Sequence, residues 1–258
     1  MPSLLLLLTI LTAPTVPPGG VPWLSGSPVG PGAAEATHEC RLRIGPGRVP
    51  IARVDVGGGV SAWFVIDTGA TGTTLGDDLA RRLGLRLSGN TRMATADGAM
   101  SVPTARLGTL GIAGVLAARD LDVAVHDLAL VREVVPEADG ILGQDVLARF
   151  DYLVDLDRAT LTIGWFPPPA RGVALPLTWS AGRPVLLMPG PGGMSGLVLD
   201  SGTDVLVLES GAASAAIGDA RPAGRTRAVL RTHAGARAVD VEHHAGLPAE
   251  PVLRNFSV

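Results

Sequence analysis

Two stretches of this chain, "WFVIDTGATGTTL" (Trp63–Leu75) and "GLVLDSGTDVLVL" (Gly196–Leu208), each run an apolar segment straight into an aspartate and then into small residues. Placing Asp67 on Asp200 is a shift of 133 residues, and the flanks follow it: Gly57-Gly58-Gly59 falls on Gly190-Pro191-Gly192, and Leu75 on Leu208. Ile51–Val56 falls across the apolar run that precedes the second Gly-rich turn. The shared order is strand, Gly-rich turn, apolar strand, Asp-(Thr/Ser)-Gly, polar turn, apolar segment. A repeat this long predicts two lobes rather than a solenoid of short units.

Composition agrees with a turn-rich β fold. Glycine and proline together make 34 + 21 = 55 of 258 residues, and 47% of the chain is hydrophobic against 17% charged. That charged share is below the roughly 25% of an average globular chain, so the sequence builds a core and not a solvated tail. Lysine is absent, the arginines are scattered, and the net charge is −3, which gives no electrostatic footprint for nucleic acid or an anionic membrane. Cys40 is the single cysteine, so no intrachain disulfide forms. The five histidines lack ligand spacing, since His243 and His244 are neighbours that a strand sends to opposite faces, and no metal site or cofactor is expected. "PGPGGMSG" lacks the Gly-Lys-Ser/Thr of a phosphate loop.

Four segments are expected. Residues 1–37 read as a signal peptide or disordered leader: Leu4–Ala13 is an apolar run stopped by Pro14, too short for a membrane span, followed by a Pro/Gly-rich stretch. Export to the periplasm, cell envelope or exterior follows from that reading. Residues 38–166 form an N-terminal lobe, 167–171 a Pro-rich linker, and 172–258 a C-terminal lobe. Within the first lobe, Val49–Val56 and Ala62–Ile66 read as strands around the triple glycine. Gly76–Leu85 reads as a short helix capped by Asp77 or Asp78 and ended by Gly84. Asp97-Gly98 is a hairpin turn between Thr91–Ala96 and Ala99–Arg106. Gln144–Phe150 gives one or two helical turns, and Tyr152–Trp165 a hairpin turning near Asp157-Arg158.

An aspartate at the end of a buried strand is costly to keep ionised, and turn N–H groups offset that cost. One such residue is only a capped turn. Two brought together cannot both ionise easily, so the pair holds a single proton and titrates as a unit. The charged member can polarise a water while the protonated one donates to a carbonyl oxygen.

"VIDTGATGTTL" and "LVLDSGTDVLVL" resemble the active-site motifs of aspartic proteases, and Ala138–Ile163, with Ile141-Leu142-Gly143, resembles the later part of a retropepsin-like lobe. "TADGAMSVPTARLGTLGIAG" resembles the flap hairpin and the strand after it. The resemblance implies an all-β acid-protease fold of two pseudo-twofold-related, barrel-like lobes with few short helices. It implies that Asp67 and Asp200 are the catalytic pair, with Thr68 and Ser201 in cross-lobe hydroxyl contacts and Gly69 and Gly202 in tight turns. Thr203 offers a hydroxyl that Ala70, at the matching place, lacks. The flap would be Ala94–Met100, with Thr95, Ala96, Asp97 and Gly98 over an extended peptide or protein substrate. A monomer is implied, with no nucleic acid partner and no stable membrane span.

The second lobe departs from this pattern. The counterpart of Ile141-Leu142-Gly143 falls at 143 + 133, near position 276, beyond Val258, so an incomplete second lobe is expected. Its flap equivalent is expected at Thr232–Arg237. Two other readings stand beside the monomeric enzyme: a homodimer using Asp67 from each chain, and a catalytically inactive protease-like binding or structural domain.

Overall fold

The structure, a computed structural model, describes residues 36–95, 98–164, 177–190, 193–203, 224–232, 235–243 and 255–257. The expected leader up to Glu35, the linker at 167–171, the flap tip residues Ala96 and Asp97, and Leu208 lie outside them.

The described residues are mostly β-strand. In chain order the strands are β1 (His38–Arg41), β2 (Arg43–Ile44), β3 (Pro50–Asp55), β4 (Ser61–Ile66), β5 (Thr74–Gly76), β6 (Leu87–Thr95), β7 (Gly98–Ile112), β8 (Val115–His126) and β9 (Gly140–Leu142). They continue as β10 (Tyr152–Asp155), β11 (Thr160–Ile163), β12 (Leu177–Ser180), β13 (Arg183–Gly190), β14 (Gly193–Val198), β15 (Gly224–Thr232), β16 (Gly235–His243) and β17 (Asn255–Ser257). Three short helices interrupt them: α1 (Asp77–Arg82), α2 (Ala129–Arg132) and α3 (Gln144–Leu147).

Eight strands form one sheet in the order β2-β3-β4-β9-β5-β8-β7-β6, and a further β3–β7 pairing bends it back on itself. The curled sheet wraps a core built from Val54, Phe64, Ile66, Leu75, Leu107, Leu121, Leu142 and Tyr152, all essentially inaccessible. Strand alternation explains the selection: Ala62, Phe64 and Ile66 share one face of β4 and enter this core. Val65, on the opposite face, joins a second cluster with Ile51, Leu128, Val131 and Val135. The end of β4 is thus buried on both faces. That is why an apolar run leads into Asp67 without alternating.

The β3–β4 turn is the triple glycine, with φ of +83°, +60° and +75°, a left-handed run that side chains rarely adopt. α1 starts at Asp77 and ends before Gly84, whose φ of +64° closes it. The expected aspartate cap is not made. Gly76 occupies the cap position without a side-chain bond, and Asp77 and Asp78 lie in the first turn, where they favour the helix dipole and pair with Arg81. The hairpin β6–β7 ends on the pair Thr95↔Gly98, one residue earlier than the expected Asp97-Gly98 turn and with Gly98 inside the strand, and β7 runs on to Ile112. Its glycines produce a register shift at Leu110/Gly111 instead of a break.

Beyond residue 164 the described strands form a three-stranded sheet, β12-β13-β14, and a hairpin, β15–β16. The hairpin's last pair is Thr232↔Gly235, where a second flap was expected. β17 pairs with β10 and completes a four-stranded sheet, β1-β11-β10-β17.

Candidate active site

Each aspartate follows a hairpin. β3–β4 delivers Asp67 and β13–β14 delivers Asp200. Behind the first loop runs β9, parallel to β4 in the register Phe64↔Gly140 to Ile66↔Leu142. The Asp67 N–H donates to Leu142 O at 3.0 Å. Gly143 fits because its backbone crosses that of Gly72; a Cβ there would stand 2.6 Å from Gly72 O. This is the support expected of Ile141-Leu142-Gly143. Behind the second loop, the Leu199 N–H donates to Pro184 O at 3.0 Å, and among the described residues β14 has only β13 as a neighbour.

The two loops interlock. Thr68 N–H donates to Ser201 Oγ (3.1 Å) and Ser201 N–H to Thr68 Oγ1 (3.0 Å). Each hydroxyl then donates onward into the strand that leads to the opposite aspartate: Thr68 Oγ1 to Leu199 O (2.8 Å) and Ser201 Oγ to Ile66 O (2.6 Å). Thr68 and Ser201 are buried, so none of these bonds competes openly with water.

The glycines are equally reciprocal. A Cβ on Gly202 would stand 2.7 Å from Asp67 Cγ, and one on Gly69 would overlap the Asp200 carboxyl. Each carboxyl therefore rests against the bare backbone of the other loop. Each also caps its own turn. Asp67 Oδ1 accepts the N–H groups of Gly69 (2.8 Å) and Ala70 (3.0 Å), and Asp200 Oδ1 accepts that of Gly202 (2.7 Å).

Burial raises both carboxyls above the ordinary aspartate range. The hydrogen bond between the two side chains and the turn N–H groups pull Asp67 back down. For Asp200, the negative charge of Asp67 and that shared hydrogen bond add to burial and push it well up. Two carboxyls so placed cannot both ionise easily, so the pair shares one proton and titrates as a unit, with Asp200 the more strongly raised of the two. Such a pair can hold and polarise a water at one carboxylate and donate a proton from the other carboxyl.

Three contributors had no sequence signal strong enough to single them out. Gln144, fully buried, donates its N–H to Ala70 O (2.9 Å) and its side-chain amide to Thr68 O (2.9 Å) and Tyr152 Oη (3.0 Å). Asp145 accepts from Thr73 N–H (2.9 Å) and Thr73 Oγ1 (2.7 Å), and burial raises its carboxyl. Arg183, on β13, is buried to 7% exposure and acts electrostatically on both Asp200 and Asp67. The flap residues Thr95 and Gly98 pair at the end of β6–β7, and Ala96 and Asp97 between them lie outside the described residues. Thr203 follows Gly202 in the second loop and is partly buried. No group of metal-ligating side chains occurs among the described residues, and no helix among them is long and apolar enough to cross a membrane.

Residues 52–146 match the family model described as aspartyl protease, a span that includes Asp67, Gln144 and the element beneath them. No curated protein matches the chain. Among solved structures, the chain is similar to a retropepsin-like aspartic protease from Rickettsia conorii, with 20% identity and a TM-score of 0.37 over 50% of this chain and 91% of that one.

Proposed function

We propose that this chain, whose residues 52–146 match the aspartyl protease family model, is an aspartic endopeptidase of two unequal lobes that hydrolyses peptide bonds between Asp67 and Asp200. The observation that carries this reading is the reciprocal lock of the two loops, which holds two carboxyls together around one proton. A water between them loses its proton to the Asp67 carboxylate as its oxygen attacks the scissile carbonyl carbon. Asp200 gives its proton to the carbonyl oxygen, leaving a tetrahedral diol. Collapse of the diol returns a proton to Asp200, while Asp67 passes the water's proton to the leaving amine. The hairpin β6–β7 is placed by the reading as the flap, with Thr95, Ala96, Asp97 and Gly98 at its tip over an extended peptide. No cofactor takes part.

The lock also favours a monomer over a homodimer that pairs Asp67 with Asp67, because Asp200's loop fills the position a second Asp67 would take. The single-sided support of β14 favours the opposite case, an inactive binding domain. Cleavage of a denatured protein by the wild type, Asp67→Asn and Asp200→Asn separates the three. The proposal expects each variant to lose about 10²–10⁴-fold or more in rate while staying folded. An active Asp200→Asn points to the homodimer, and an inactive wild type that also ignores a statine-type inhibitor points to the binding domain.

A further inference from the structure

We propose that Arg183 is a positioning residue for this reaction, its fixed positive charge keeping the Asp67–Asp200 pair in its one-proton state under acidic conditions. The inference deepens the proposed function and rests on it. Arg183 is the first residue of β13, directly after a turn whose residues Ala181 and Gly182 both adopt left-handed backbone, with φ of +46° and +79°. That turn and the Ser180↔Arg183 pairing fix where its side chain leaves the sheet. The next residue, Pro184, accepts the Leu199 N–H, which ties β13 to the strand entering Asp200.

An arginine with 7% of its surface exposed ordinarily has a carboxylate against it. Among the described residues Arg183 makes no ion pair, and its Nε, buried, has no hydrogen-bond partner. The charges it acts on are Asp200 and, less strongly, Asp67. A buried cation without a close partner among the described residues is expensive. Its charge is spent on the pair.

The other ionisable groups near the loops are committed elsewhere. From α3, Asp145 is taken up by Thr73, and Arg149 turns its Nε to Asp145 O (2.6 Å). Besides the two aspartates themselves, Arg183 is the charged residue that acts on both carboxyls. The sign follows directly. A cation favours the deprotonated form, so it draws the loss of the first proton, and of the second, to lower pH. The pair becomes a monoanion earlier on the way up from acid, which moves the whole active range down.

The test is a carboxyl titration by ¹³C NMR of aspartate-labelled full-length chain, run without substrate, for the wild type, Arg183→Gln, Arg183→Met and Arg183→Lys. The methionine variant keeps an unbranched stem for packing should glutamine fail to fold. Both apparent steps of the pair should move up by about 0.5–1 pH unit in the uncharged variants and return toward wild type with lysine. Both limbs of the pH–rate profile should move with them. Titration steps that coincide with wild type in a folded uncharged variant overturn the proposal, as does a lysine variant that behaves like methionine. Absence of cleavage by the wild type would reject the endopeptidase reading alone, because the titration needs no substrate.

Discussion

Thr68 and Ser201, 133 residues apart, each donate a backbone N–H to the other's hydroxyl and donate their own hydroxyl to the chain leading into the other's loop. Four bonds thus depend on two small side chains. Thr68→Val keeps the shape and removes the oxygen, stranding Ser201 N–H and Leu199 O in a buried place. The expected loss is roughly 2–4 kcal/mol in urea unfolding. Thr68→Ser, which keeps the hydroxyl, should recover most of it.

Gln144 holds the first loop from beneath. Its amide reaches Thr68 O and Tyr152 Oη, and its backbone reaches Ala70 O. Gln144→Leu leaves Thr68 O and the Tyr152 hydroxyl without that donor, at a cost of about 1–3 kcal/mol. Because the lost bond ends on the loop that carries Asp67, kcat should fall more than KM rises in steady-state kinetics of the folded variant.

The stability should increase on mild acidification. Asp67, Asp200 and Asp145 all have folded-state pKa values raised above the unfolded aspartate value of 3.8. For an acid raised on folding, the native state binds more protons than the unfolded chain at any pH between the two values. Stability therefore falls as pH rises through that window and is recovered as pH falls back toward 3.8. Thermal unfolding should give a midpoint that rises as pH is lowered from neutrality toward 3.8. Asp145→Asn removes one of the three contributions and should flatten the slope.

Gly140 sits opposite Phe64 in the parallel β4–β9 pairing, and a Cβ there would stand 2.6 Å from Phe64 Cζ. Phe64 is fully buried and has no room to yield. Gly140→Ala should destabilise by about 1–3 kcal/mol, read by denaturant unfolding. It should also loosen the strand whose end holds the Asp67 N–H, so activity should fall in parallel.

Much of the first half was legible from local chemistry. The triple glycine demands a turn and Ala62–Ile66 reads as a strand, while that strand's burial on both faces and the Gly143 crossing show only in the fold. Thr68, Gly69, Ser201 and Gly202 were named through the resemblance of the doubled motif to aspartic-protease active sites. What escaped were residues whose meaning is purely spatial. Arg183 in "SAGRPV" looks like any surface arginine, and only the fold buries it beside Pro184, which accepts the Leu199 N–H. Gln144 looks like an ordinary helix start. Asp77 and Asp78 looked like caps because propensity weighs the residue and not the φ/ψ of Gly76 before it. The length of β7 was underestimated because Gly108 and Gly111 look like stops, whereas the paired β8 carries the strand through them.

The loop interlock also sets an order in time. A chain being synthesised exposes Asp67 and its whole supporting sheet long before Asp200 is joined to it. Until then Ile66 O has no hydroxyl to accept and Gly69 has no carboxyl resting on it. Asp67 is until then only a capped turn. Cleaving power, on the proposed reading, exists only once the loop of Asp200 has docked onto that of Asp67.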